Sequence, residues 1–249
     1  MLKGLLKLSW IEMKIFLREP MGVVGSLVLP VLLFVFVGRA LRIAPPRGLE
    51  NPVARLPFNI AILTALLISL GAVQSLVAIM AIYREGGILK RLRATPLSPV
   101  AILGAHVLVK LGFTFLAMIV MILAGRRVLP GAMPADGASF VVAVLMGTTS
   151  ILSFGFVMAS LVRSARFAQA LGAALTYVML ALSGVFFSVD RFPRPLQAVA
   201  NVLPTTHAVT LMRAIWAGDS WRAQLPTVGA LALIFAVCIG FSSRWFRWE

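Results

Sequence analysis

Apolar residues run in long blocks along this chain, and polar and basic residues gather between them. Six blocks stand out: Met21–Gly38, Phe58–Ile82, Val100–Ala124, Ser139–Val162, Gln169–Phe187 and Pro226–Phe241. A helix needs roughly 20 residues to cross a hydrocarbon core about 30 Å thick. The pattern predicts an all-α integral membrane protein with six transmembrane helices. Pro20 marks the start of the first block, and the sixth is short, so its ends are the least fixed.

The segment ahead of the first block is built differently. Leu2, Leu5, Leu6, Met13, Phe16 and Leu17 recur at helical spacing, while Lys3, Lys7, Lys14 and Arg18 recur on another face. That spacing predicts an amphipathic helix over 1–19, lying in the membrane interface with Trp10 at headgroup level. A secretory signal fits less well, because the basic stretch is too long and no small-residue cleavage site follows cleanly. Between the fifth and sixth blocks, residues 188–225 are punctuated by Pro193, Pro195 and Pro204. Leu196, Val199, Ala200 and Leu203 form one short apolar stripe; Val209, Met212, Ile215 and Trp216 form another, ended by Gly218. Two short helices at the outer leaflet fit this pattern, and so does a folded surface loop.

The polar island between the second and third blocks, Tyr83–Pro99, reads YREGGILKRLRATPLSP. Gly86 and Gly87 interrupt the helix leaving the membrane. Ile88, Leu89 and Leu92 then make an apolar stripe beside Lys90, Arg91 and Arg93. Thr95 precedes Pro96, which stops a helix there, and Ser98 with Pro99 suits the start of the next one. The result is a short basic helix across the membrane face. The competing reading is a topogenic loop that touches only lipid phosphates.

Composition agrees with the blocks. Hydrophobic residues make up 60% of the chain and charged residues 12%, where soluble domains run near a quarter charged. The formal net charge is +15. The basic residues sit mostly between apolar blocks, which suits anionic headgroups and topology signals rather than nucleic acid. They are nearly balanced between the two sides. The amphipathic start and the dense Lys90–Arg93 cluster tip the 1–19 and 83–99 side, and with it both termini, to the cytoplasm. Cys238 is the single cysteine, which excludes an internal disulfide and a cysteine metal site.

Several chemistries find no support. No G-x-x-x-x-G-K-[ST] occurs, so this chain does not cradle nucleotide phosphates by that motif. Glu12, Glu19, Glu50, Glu85, Asp136, Asp190, Asp219 and Glu249 all fall outside the blocks, which argues against ion coupling and an intramembrane aspartyl protease. No H-E-x-x-H occurs, and His106 and His207 lack neighbouring ligands, so no metal is expected. Lys110 is the one charge well inside a block, four residues from His106 on the same helix face. Both are candidates for a transport pathway, with snorkelling of Lys110 toward the interface the favoured alternative. Gln74, Thr148, Thr149 and Tyr177 are further polar candidates for that pathway, and Phe186 and Phe187 are candidates for contact with a lipophilic substrate. Packing is the commoner role for each. Gly71 with Ser75, and Ala168 with Gly172, would let helices approach closely.

The island resembles the cytoplasmic loop of ABC-2 type transporter permeases, which pairs an acidic-basic-Gly start with a basic Leu-containing centre and a T-P-L-S-P-like end. The likeness extends over nearly the whole chain. Arg18-Glu19-Pro20 closes a segment similar to the family's interfacial connecting helix. Leu203-Pro204 and Met212-Arg213-Ala214 lie where its external helices lie. The drug- and lipid-exporter branch is the most similar. The resemblance implies that 1–249 is a single transmembrane domain, with a coupling helix in which Glu85, Gly87, Ile88, Leu89, Lys90, Arg91, Leu92, Arg93 and Thr95 meet an ATPase. It implies two cytosolic ABC ATPase subunits that bind ATP and Mg, and a second permease, either another copy of this chain or a sister. Such a protein would be no enzyme by itself. It would sit in a prokaryotic plasma membrane among lipids and export a drug, a lipid or a lipid-linked glycan. Two other classes stay open: a lipid-modifying membrane enzyme, which would need loop residues such as Asp190 with His207, and an ATP-independent channel or scaffold.

Overall fold

A computed structural model describes residues 2–18, 23–43, 59–87, 99–128, 134, 136–161 and 164–245. Its regular elements are all helical: α1 Leu2–Arg18, α2 Leu29–Ile43, α3 Ile60–Glu85, α4 Pro99–Val128, α5 Gly137–Leu161, α6 Ala165–Leu182, α7 Arg194–Val202, α8 Pro204–Ala217 and α9 Leu225–Trp245. A wide π turn, Val24–Val28, leads directly into α2, with the Leu29 amide donating to the Val24 carbonyl. Among the described residues four helices are long and apolar enough to cross a membrane: Ile60–Tyr83, Gly104–Arg127, Gly137–Ser160 and Leu225–Ser242. The apolar stretches of α2 and α6, Leu29–Ala40 and Arg166–Leu182, are shorter. The sixth block, which looked short, thus sits in a helix of 21 residues.

Local chemistry sets the helix ends. Asn59 Oδ1 accepts from the Ala61 and Ile62 amides at 2.9 and 3.4 Å at the start of α3. Asp136 Oδ1 accepts from the Ala138 amide at 2.9 Å before α5. Ser164 Oγ accepts from the Phe167 amide at 3.3 Å before α6. These side-chain acceptors satisfy amides that the first helical turn leaves unpaired. At the far end of α3 the Gly86 amide donates to the Ile82 carbonyl at 2.9 Å. Gly87 then turns left-handed at φ +65°, a conformation that suits glycine. α4 begins at Pro99.

The centre of the molecule is the pair α3 and α5. Both are apolar on every side, as expected for helices enclosed by others. α8 and α9 pack on α5, α6 packs on α3, α4 borders both, and α2 packs on α3 and α4. Small residues bring the backbones together. A Cβ on Gly147 would lie 2.8 Å from the Ala208 Cβ, and one on Gly155 would lie 2.9 Å from Val73 Cγ1. Hydroxyls join helices across the core: Ser69 Oγ and Thr148 Oγ1 are 2.8 Å apart, and Ser150 Oγ donates to the Leu231 carbonyl at 3.1 Å.

Two short helices, α7 and α8, fill much of residues 188–225. α8 buries Thr205, Ala208, Val209, Leu211, Met212 and Ile215. Its hydroxyls reach back to the last turn of α6: Thr205 Oγ1 donates to the Met179 carbonyl at 3.2 Å and Thr206 Oγ1 to the Leu182 carbonyl at 3.3 Å. Arg213 Nη2 donates to the Val185 carbonyl at 2.9 Å, and burial lowers its pKa from the ordinary arginine value. Trp216 meets Phe140 edge to face with centroids 4.9 Å apart, and Trp221 Nε1 donates to Ser139 Oγ at 3.2 Å.

Candidate functional site

The chemistry-bearing cluster lies where α1 crosses α3 and α4. α1 packs along α4, with the Phe16 and Phe113 rings 4.5 Å apart. The helix buries Glu12 and Phe16 on one face and leaves Lys7, Trp10, Lys14 and Arg18 exposed. For Lys3 the structure describes the backbone only.

Glu12 is the centre of the cluster, at 5% exposure. Tyr83 Oη donates to both of its carboxyl oxygens, at 2.9 and 3.1 Å. His106 Nδ1 stands 3.4 Å from Oε2, within ion-pair range. Lys110, one turn further along α4, donates from Nζ to Ser75 Oγ at 2.6 Å and lies 3.7 Å from the centroid of the Phe16 ring. The Tyr83 and His106 rings face each other with centroids 5.6 Å apart. His106 Nε2 meets no hydrogen-bond partner among the described residues. Burial raises the Glu12 pKa above the ordinary carboxylate value, while the Tyr83 hydrogen bond and the Lys110 charge act in the opposite sense.

A carboxylate taken out of water is costly unless it is paired and hydrogen-bonded. Here the acid and its compensation come from three chain segments. α1 supplies the acid, the last turn of α3 supplies the phenol, and the first half of α4 supplies the imidazole and the ammonium. Tyr83 is four residues before Gly87. The cluster therefore sits at the root of the 83–99 loop and ties α1 to both helices that the loop joins.

The remaining candidates divide by place. Glu85 is exposed and Gly87 half-buried at the loop root. Ile88, Leu89, Lys90, Arg91, Leu92, Arg93 and Thr95 lie outside the described residues. The pathway candidates do not gather into one cavity. Thr148 is buried between α3 and α5 and also bonds the Val144 carbonyl at 2.7 Å, while Thr149 bonds the Leu145 carbonyl of its own helix at 2.7 Å. Gln74 is exposed along α3, Tyr177 is exposed on α6, Phe186 is half-buried and Phe187 is exposed beyond the end of α6. His106 and Lys110 belong to the Glu12 cluster. Lys110 ends on Ser75 and the Phe16 ring, beneath α1, rather than on a headgroup layer alone.

Asp190 and His207 do not form a dyad among the described residues. Asp190 Oδ2 accepts from Ser188 Oγ at 3.0 Å, and His207 Nε2 pairs with the Asn201 carbonyl at 2.9 Å. No group of three metal-ligating side chains occurs among the described residues. Glu12, Tyr83 and Ser75 carry the cluster without having been singled out for it from the sequence. Glu12 had a signal: it falls four residues after Leu8 and four before Phe16, on the apolar stripe of α1 rather than its basic one.

An apolar helical bundle, an amphipathic first helix locked onto it by a buried acid, and short helices before the last span together define a polytopic membrane protein. The chain belongs to the ABC-2 type transporter family, whose sequence model matches residues 4–216. Members of that family are membrane transport subunits. The chain is also similar to the capsule polysaccharide export inner-membrane protein CtrC of Neisseria meningitidis, with 30% identity over 116 residues. That stretch covers 44% of this chain and 44% of the relative.

Proposed function

We propose that this chain is the permease subunit of an ATP-driven exporter, working with two cytosolic ABC ATPase subunits that bind ATP and Mg. Residues 1–249 form one transmembrane domain in the plasma membrane. Its six spans are α2, α3, α4, α5, α6 and α9, with both termini cytoplasmic. Residues 83–99 are the coupling loop, in which Glu85–Thr95 meets the ATPase, and residues 188–225 are the external helical region. A second permease, another copy or a sister chain, completes the pathway. The exposed Gln74 on α3 supports a partner there, since an amide facing lipid is costly.

The observation that carries this reading is the Glu12 cluster at the loop root. A displacement of the loop by the ATPase reaches α1, α3 and α4 together, because Tyr83, His106 and Lys110 converge beneath Glu12. The cargo is amphipathic or lipophilic: a drug, a lipid or a lipid-linked glycan. The similarity to a capsule polysaccharide export protein favours the glycan among these.

The test is co-purification with a Walker-motif ATPase and measurement of substrate-stimulated hydrolysis. Charge reversal at Lys90, Arg91 and Arg93 is expected to weaken ATPase association or coupling at normal membrane insertion. If transport survives and only topology shifts, the loop is topogenic and the coupling assignment fails. Loss of lipid turnover in D190A or H207A, with ATPase coupling intact, would favour an enzyme instead.

A further inference from the structure

Beside the Glu12 cluster, α1 and α4 leave between them an apolar groove of about 490 Å³. Trp10 and Met13 form one wall, and Leu108, Gly112, Phe113 and Leu116 form the other. Gly112 opens its floor, since a Cβ there would meet no atom within 4 Å. From Leu108 to Leu116 the groove follows α4 for roughly 12 Å, at 1.5 Å per residue. Its volume corresponds to on the order of 16 water-sized groups at about 30 Å³ each. That is the scale of one long hydrocarbon chain. Water has few polar partners along these walls, so it is a poor occupant.

The rim carries charge. Lys14 Nζ stands 5.3 Å from the centroid of the Trp10 ring. Lys7 is exposed one turn before Trp10 on the same helix. Leu108 and Leu116 are each about half exposed, at 47% and 49%, so the apolar wall is open to the surroundings. An apolar trough under a cationic rim, on a helix suited to the headgroup boundary, matches a molecule with an apolar tail and an anionic head.

We propose that this groove holds one acyl chain of an anionic membrane phospholipid, with the phosphate at Lys7 and Lys14. The lipid fills the gap between α1 and α4 and so seats the interfacial helix. This inference needs only a membrane protein, so it is independent of the ATPase partner.

The full chain, purified in neutral detergent, is titrated with phosphatidylglycerol or phosphatidylcholine carrying brominated acyl chains. Quenching of Trp10 is read as the difference between wild type and W10F, and native mass spectrometry counts retained lipid. Phosphatidylglycerol is expected to quench saturably, at a concentration at least about tenfold below phosphatidylcholine. G112L, whose side chain would occupy the groove without a backbone clash, is expected to weaken binding of both lipids by about tenfold or more at unchanged helicity. K7Q combined with K14Q is expected to reduce phosphatidylglycerol binding to the phosphatidylcholine level. Equal, non-saturable quenching by the two lipids in the wild type overturns the proposal, whether or not G112L folds. So does preferential retention of neutral lipid or detergent, or wild-type binding in folded G112L.

Discussion

Tyr83→Phe is the sharpest probe of the buried cluster. The substitution keeps the ring against His106 and removes one hydroxyl that donates to both oxygens of Glu12, at 2.9 and 3.1 Å. Tyr83 and Glu12 are 8% and 5% exposed, so water does not readily replace the lost donor. A hydrogen bond to a charged group contributes about 1.5–3 kcal/mol, and a neutral one about 0.5–1.5 kcal/mol. At a pH above the raised Glu12 pKa, where the carboxyl is ionised, Y83F should therefore cost about 1.5–3 kcal/mol in the wild-type background and roughly 1 kcal/mol less in Glu12→Gln, where the acceptor is an amide. The four chains of this double-mutant cycle are unfolded reversibly in mixed micelles, and the free energies are compared. A coupling energy near 1 kcal/mol or above is expected. Additivity within about 0.3–0.5 kcal/mol would mean that Tyr83 and Glu12 act independently, and the view of the cluster as one clamp would be abandoned.

The same acid predicts a pH dependence. Its pKa is raised in the folded chain, so the folded state keeps this proton to a higher pH than the unfolded state. Its contribution is fully present below the ordinary value of 4.5 and is lost as pH rises through the raised folded value. E12Q should flatten that slope, measured in an H106Q background because His106 faces the same carboxyl along with Lys110 and Tyr83. Gly147→Val should destabilise the α5–α8 contact by about 1–3 kcal/mol, the usual effect of overpacking, since even a Cβ would come within 2.8 Å of Ala208; an unchanged unfolding midpoint would count against that packing. Lys110→Met should release α1 from α4, read as faster hydrogen exchange of the α1 amides, and protection equal to wild type would show that α1 docks without the ammonium. Arg213→Ala should speed exchange in the turn around Val185, whose carbonyl it caps at 2.9 Å.

What the sequence made legible follows from local physics. Gly87 ends α3 because the chain there turns left-handed, and α4 begins at Pro99 because proline suits a first helical turn. The basic and apolar faces of α1 follow from its spacing alone. The buried role of Glu12 was less visible because its compensation is non-local: Tyr83 is 71 residues away in sequence. One acid among lysines reads as a surface charge until the helix that covers it is known. Lys110 was harder for the same reason, since its partners Ser75 and Phe16 come from two other helices. The apolar helices of the first and fifth blocks, Leu29–Ala40 and Arg166–Leu182, are shorter than the blocks themselves. α2 enters through a π turn, and α6 ends at Leu182, short of Phe187, because residues 183–187 turn toward α8.

The contacts between α6 and α8 bear on how the chain is made. α6 is 18 residues long, about 27 Å at 1.5 Å per residue and slightly short of a hydrocarbon core about 30 Å thick. Its last carbonyls have no partner within the helix itself. Two of the groups that cover them, the hydroxyls of Thr205 and Thr206, lie 26 and 24 residues further on. During synthesis α6 thus emerges before the segment that completes its end. A chain ending before Pro204 would therefore carry α6 without the hydroxyls that cover its last turn.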